Sequence, residues 1–113
     1  MRLRNVPGAR EILEGSSNYI LEPENQKGKW SEYFGNTNPI HIEIGSGKGK
    51  FITTLARQNK DINYIAMEKF ATVLLKLIKK LPEEGLSNLA ILNTDAEMLT
   101  QFFEQGEISK IYL

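Results

Sequence analysis

Apolar residues recur along this chain with two alternating periods. From Ile40 to Ile44 they take every second position, Ile-His-Ile-Glu-Ile, the repeat of a strand, and Pro39 ahead of them suits a strand's start. Phe51, Ile52, Leu55 and Ala56 then follow helical spacing, in a helix that runs to about Asn59. Lys60, Asp61 and Asn63 mark a turn, and Asn63 to Glu68 reads as a second short strand. Phe70, Ala71, Leu74, Leu77, Ile78 and Leu81 give the clearest helix. Thr72, Lys76, Lys79 and Lys80 lie largely on its other side, as a solvated face, and Pro82 and Gly85 stop it. Leu89 to Asn93 is a third strand, Met98, Leu99, Phe102 and Phe103 are the next helical face, and Gly106 ends that helix. Ile108 to Leu113 opens a fourth strand. Strands alternating with helices imply a parallel α/β sheet with right-handed crossovers and helices on both faces. The order 3-2-1-4 is expected, with a ligand outside the carboxyl ends of the strands near the switch between the first and the fourth.

Residues 1–36 lack this alternation and read as an irregular arm. Arg2, Arg4 and Arg10 make its start locally basic. Two readings stand: a frayed, solvated terminus, or an arm that touches phosphates. A short helix is expected over about Ala9 to Glu14, stopped by Gly15-Ser16-Ser17, and a loop over Leu21 to Gly28. Trp30, Tyr33 and Phe34 share one helical face, and packing against the main domain is their plainest use. Gly35 to Pro39 is a turn cluster, which divides the chain into an arm, 1–36, and a sheet domain, 37–113.

Composition narrows the function classes. The 113 residues suffice for one small domain, and 41% hydrophobic with 25% charged is ordinary for a globular protein. The formal net charge is zero, so nucleic-acid binding would need locally clustered basic groups. Without cysteine there is no disulfide or thiolate metal site, and a single histidine, His41, argues against zinc. His41 falls inside the first strand and reads as a packed residue. Neither a secretory segment nor a membrane span is visible, so a cytoplasmic protein without metal or membrane partner is expected.

The chemistry concentrates between the first strand and its helix, in Glu43-Ile44-Gly45-Ser46-Gly47-Lys48-Gly49-Lys50. Alternating glycines suit a chain that turns sharply and lets a ligand approach its backbone. A Walker A loop fails twice, because Ile44 stands where its first glycine belongs and Phe51 where its Ser or Thr belongs. A dinucleotide fingerprint fails because its third glycine position is Lys50. What remains is an acid followed by Gly-x-Gly-x-Gly, which resembles motif I of the class I S-adenosylmethionine-dependent methyltransferases. That cofactor carries a sulfonium and an ammonium and no phosphate, so a carboxylate at Glu43 is favourable, whereas beside a pyrophosphate it would repel. Lys48 and Lys50 should point outward.

Two more acids close strands. Glu68 lies 19 residues past Gly49, near the spacing of about 20 at which a carboxylate meets a ribose diol. Its alternative is a surface acid favoured by the dipole of the following helix. Thr94-Asp95-Ala96-Glu97 has capping-box form with Thr94 as the cap, so Asp95 also reads as a first-turn acid.

The segments Met1 to Asn5 with Pro7, Lys27 to Trp30, Phe34 to Asn36, Ile42 to Gly49, Glu68-Lys69 and Asn93 to Ala96 together resemble the bacterial tRNA (guanine-N(7)-)-methyltransferase family. The resemblance implies an α/β, Rossmann-like class I methyltransferase fold, first half only. It implies methyl transfer from S-adenosylmethionine to N(7) of a guanine in the tRNA variable loop. Implied cofactor ligands are Glu43, Glu68 and Asp95, with Gly45 and Gly47 making room for the methionine part and the Ala96 amide accompanying Asp95 at the adenine. The family's Asp-Pro-Trp-Pro-Lys segment has no counterpart here. The expectation is therefore an N-terminal fragment, itself inactive, whose catalytic residues lie beyond Leu113. A class I methyltransferase with another substrate, or a bare nucleotide-binding fragment, are the alternatives.

Overall fold

The computed structural model describes residues 8–82 and 85–113. The Arg2 and Arg4 of the basic terminus, and the Met1 to Asn5 and Pro7 part of the family resemblance, lie outside the described residues. Four parallel strands form the sheet: β1 (Ile40–Ile44), β2 (Asn63–Met67), β3 (Leu89–Leu92) and β4 (Lys110–Tyr112), in the order 3-2-1-4 that the alternation predicts. β4 is shorter than the stretch from Ile108 to Leu113 read from sequence.

Side-chain alternation divides the core into two layers. Ile40 and Ile42 of β1, with Ile65, Met67, Ala90 and Leu92, face one side, which is covered by α2 (Trp30–Phe34) and α5 (Leu99–Phe102). Tyr64, Ala66, Leu89 and Ile91 face the other, covered by α1 (Ala9–Glu14), α3 (Lys50–Gln58) and α4 (Ala71–Lys79). Ile52 and Ala56 of α3 and Leu74, Leu75 and Leu77 of α4 are the buried stripes of their helices. Phe51 departs from the expected stripe. It stands 46% exposed at the start of α3, with its ring edge-on to Tyr112 at 5.1 Å. Both Lys48 and Lys50 are exposed, as expected.

The described part of the stretch read as an irregular arm is instead built into this core. Residues 18–20 run beside β3: the Ile91 N–H donates to the Asn18 carbonyl at 2.7 Å and the Ile20 N–H to the Ile91 carbonyl at 2.9 Å. The buried Asn18 amide donates to the carbonyls of Leu86 and Leu89, both at 2.7 Å. An otherwise bare sheet edge is thereby paired. Residues Pro23–Gln26, read as loop, form one turn of 3-10 helix. Trp30 is completely buried, stacks on Phe103 at 5.2 Å, and donates its indole N–H to the Phe102 carbonyl at 2.8 Å. The Glu107 carboxylate accepts from the backbone N–H groups of Gly28, Trp30 and Glu104 at 2.9 to 3.2 Å. The sequence reading anticipated the packing of Trp30 but not the edge pairing of residues 18–20 or the anchors at Asn18 and Glu107, which leave no periodicity. No helix among the described residues is long and apolar enough to cross a membrane.

If Trp30 is a core anchor, Trp30→Phe should lower stability by about 2 kcal/mol, combining a lost buried hydrogen bond with a small cavity. Urea unfolding measures this, and a loss below about 0.5 kcal/mol would return Trp30 to a peripheral role.

Candidate functional site

Glu43, Glu68, Asn93 and Asp95 lie at or near the carboxyl edge of the sheet, where the chain leaves β1, β2 and β3. β1 ends at Ile44 and the chain must reverse into α3 within five residues. Gly45, Gly47 and Gly49 make that reversal with φ of +76°, +59° and +79°, all in the left-handed region that favours glycine. The Gly45 and Ser46 N–H groups fold over the end of β2 and donate to the Met67 carbonyl at 2.8 and 3.1 Å.

The three glycines differ in what surrounds them. A Cβ added at Gly45 or Gly47 would meet nothing within 4 Å, so the loop presents bare backbone to open space there. A Cβ at Gly49 would lie 2.3 Å from Leu77 Cγ of α4. Gly45 and Gly47 thus leave room for a ligand, whereas Gly49 is required by helix packing. The sequence reading likewise gave the ligand role to Gly45 and Gly47 alone, but it offered no packing reason for Gly49.

Glu68 follows β2 and is 7% exposed. Its Oε1 accepts from the Gly47 N–H at 3.0 Å and its Oε2 from the Phe70 N–H at 3.1 Å. The structure therefore brings Glu68 and the glycine loop into direct contact. A carboxylate offers about four acceptor directions, so two remain after these bonds.

Glu43 projects from the centre of the sheet, paired in register with Ala66 of β2 and Tyr112 of β4. One of its oxygens, Oε1, is buried without a hydrogen-bond partner among the described residues. Burial pushes its carboxyl up to about 7. An orphaned carboxylate oxygen two residues from an open glycine loop is suited to a cationic ligand. His41, two positions earlier, is half-buried rather than fully packed. Its ring meets Tyr64 and Tyr112 edge-on, and burial, with Lys110 nearby, lowers its pKa.

Asp95 lies three residues beyond β3 at the same edge. The capping box is corrected here: Asp95, not Thr94, is the cap of the short helix that follows, and its Oδ1 accepts from the Glu97 N–H at 3.0 Å. The extended backbone at Asp95 turns its own side chain onto that helix end, a simple cap without the reciprocal bond of a box, since Met98 stands at the third helical position. Ala96 is exposed at the first position of the helix. No hydrogen bond joins Asp95 to Glu43 or Glu68, but Asn93 links the ends of β2 and β3. Its amide donates to the carbonyls of Glu68 and Lys69 at 3.0 and 3.1 Å. The sequence reading placed Asn93 at the end of the third strand and gave it no role of its own. Among the described residues no cluster of His, Cys, Asp and Glu is arranged to hold a metal ion.

Comparison with known proteins agrees with this arrangement. A family model described as "Putative methyltransferase" matches residues 37–113. The tRNA (guanine-N(7)-)-methyltransferase of Lachnoclostridium phytofermentans is 54% identical over 113 residues, covering 100% of this chain and 53% of that protein. The enzyme of the same name from a Geobacillus species is 53% identical, covering 100% and 52%. That of Streptococcus pneumoniae is 48% identical, covering 100% and 54%. The chain spans about half the length of the curated relatives it matches. Among solved structures, an antibiotic-related methyltransferase superposes with a TM-score of 0.54 at 28% identity, over 62% of this chain and 37% of the other.

A raised carboxyl pKa makes stability depend on pH in a defined direction. The folded state holds the Glu43 proton more tightly than the unfolded chain does, so stability is lost as pH rises from about 4.5 through about 7. Because Glu43 is only partly buried, a realised loss of ~1 kcal/mol is expected. Glu43→Gln removes that dependence. The variant should therefore gain stability relative to the parent between pH 5 and pH 8, read as diverging Tm values; parallel curves would show that Glu43 titrates normally.

Proposed function

The chain belongs to the methyltransferase family whose model spans residues 37–113, and on that premise we propose that it is the cofactor-binding half of a tRNA (guanine-N(7)-)-methyltransferase. The cofactor is S-adenosylmethionine, which when bound supplies an electrophilic methyl carbon on a sulfonium. The observation that carries this reading is the Glu43 carboxyl, half-buried with one oxygen unpartnered, beside a glycine loop open at Gly45 and Gly47.

Each group has a task in keeping with its surroundings. Glu43 contributes negative charge toward the ammonium and sulfonium end, where a phosphate-bearing ligand would be repelled. Gly45 and Gly47 let the methionine part approach the backbone. Glu68 accepts from the ribose hydroxyls through the acceptor directions its backbone bonds leave free. Asp95 accepts from the adenine amino group, beside the Ala96 N–H. Asp95 already caps a helix with Oδ1, so Oδ2 is the oxygen to which this task falls.

The acceptor chemistry asks little of the protein. N(7) of guanine carries a lone pair and no proton, so attack on the methyl carbon requires no general base. In-line placement can contribute several kcal/mol, and a nearby carboxylate stabilises the cation that forms. None of the described residues is assigned a catalytic role. The two domains follow the same reading, with 37–113 as the cofactor domain. Relatives bearing the tRNA methyltransferase name at 48 to 54% identity over this whole chain favour tRNA over another acceptor.

Calorimetry with S-adenosylhomocysteine tests the cofactor site. Micromolar binding is expected, without response to NAD or ATP. Affinity should rise roughly tenfold between pH 6 and pH 8, because the ammonium of the ligand favours ionised Glu43. Pairing with Glu43 fails if affinity is flat across that range. The acceptor is tested separately: disrupting the coding gene in its host should remove 7-methylguanosine from bulk tRNA, read by nucleoside mass spectrometry, and an unchanged level refutes it.

A further inference from the structure

A chain of hydrogen bonds runs along the carboxyl edge of the sheet from β3 to the glycine loop. It begins at Asn93, one residue past β3. There β2 has ended at Met67, and the carbonyls of Glu68 and Lys69 lie beyond its last residue. The Asn93 side-chain amide has two N–H groups and meets both carbonyls, at 3.0 and 3.1 Å. The Glu68 N–H is held from the same direction by the Leu92 carbonyl at 3.1 Å. Glu68 is thus fixed through both its N–H and its carbonyl by residues 92 and 93. Its carboxylate then reaches across to the Gly47 N–H at 3.0 Å, with the Phe70 N–H on its second oxygen at 3.1 Å.

From this geometry we infer that Asn93 is a positioning residue for the cofactor site: by fixing the Glu68 backbone it sets the Glu68 carboxylate against the Gly47 N–H and holds the glycine loop in its binding shape before a ligand arrives. The inference rests on the cofactor reading given above and adds a residue and a mechanism to it. Residue type matters at this position. Two carbonyls need two donors on a short side chain, which asparagine supplies. Aspartate would set a carboxylate against both carbonyls, and alanine would supply nothing. The loop needs such a restraint because its two open glycines have no side chains to pack and large conformational freedom to lose. The bond to Gly47 leaves other acceptor directions on Glu68 free, so the restraint persists when a diol binds.

Amide hydrogen exchange in the ligand-free protein tests this directly. Asn93→Ala and Asn93→Asp should each speed exchange at Gly47 at least fivefold, while Ile42 and Ile65 in the sheet interior exchange at the parent rate. Glu68→Ala should speed Gly47 to the same degree, and the Asn93→Ala/Glu68→Ala double variant should exchange no faster than Glu68→Ala alone. Binding of S-adenosylhomocysteine should weaken about tenfold in Asn93→Ala. An unchanged Gly47 rate overturns the inference, as does acceleration of Gly47 together with Ile42 and Ile65, which would mark Asn93 as a general stabiliser. Additive effects in the double variant also overturn it. Should the parent protein bind no S-adenosylhomocysteine, the cofactor reading fails, while the exchange rates still decide whether Asn93 and Glu68 hold the loop.

Discussion

A parallel strand hydrogen-bonded on both flanks and covered on both faces reaches solvent only at its ends. β1 comes close to this, lying between β2 and β4 with Ile40 and Ile42 buried in one apolar layer, while His41 and Glu43 on its other face stay half-buried. Chemistry contributed by the interior of this sheet must therefore appear at the carboxyl edge, where the chain leaves each strand for its helix. The position of Glu43 near that edge has a cost. Its carboxyl is partly stripped of water, and one oxygen has no partner among the described residues. In the function proposed above, a ligand of opposite charge compensates for that lost hydration.

The loop that follows solves two problems with one residue type. It must turn back within a few residues, and it must carry α3 close enough to α4 for the helices to share a core. Left-handed backbone at Gly45, Gly47 and Gly49 meets the first requirement. Only Gly49 meets the second, through its approach to Leu77. Once α3 is seated, the outer part of the loop is left exposed and is steadied by Glu68 and by the pairing of Gly45 and Ser46 with Met67. Packing and ligand access are thus divided between residues only two positions apart.

The sheet order, the covering helices and the places of Glu43, Glu68 and Asp95 near the carboxyl ends of β1, β2 and β3 were legible in the sequence because each leaves a periodic or positional trace. Alternating isoleucines fix β1, 3.6-residue stripes fix α3 and α4, and an acid at a strand's end is visible by its place. What was not legible lacks such a trace. Asn18 and Asn93 act through single amide groups aimed at carbonyls far away in sequence. Phe51 fits the helical stripe yet faces outward, because the stripe's phase is set by Ile52 and Ala56, which leaves its first member at the rim. Asp95 displaced Thr94 as the cap because its backbone is extended while the helix starts one residue later. The described arm belongs to the core although its residues show no sustained period, since edge pairing and one buried tryptophan suffice to anchor it.

The clasp of Glu107 on the Gly28 and Trp30 backbone, with the Trp30 indole seated on Phe102, has a consequence for the order of assembly. These contacts join stretches more than seventy residues apart, and the pairing of residues 18–20 with β3 spans a similar distance. On the ribosome, residues 18–30 emerge long before the segments near residues 91–107 against which they dock. They must remain uncommitted until the chain past β3 has been synthesised, so their capture closes the longest loops in the domain and belongs to the late, slow part of folding.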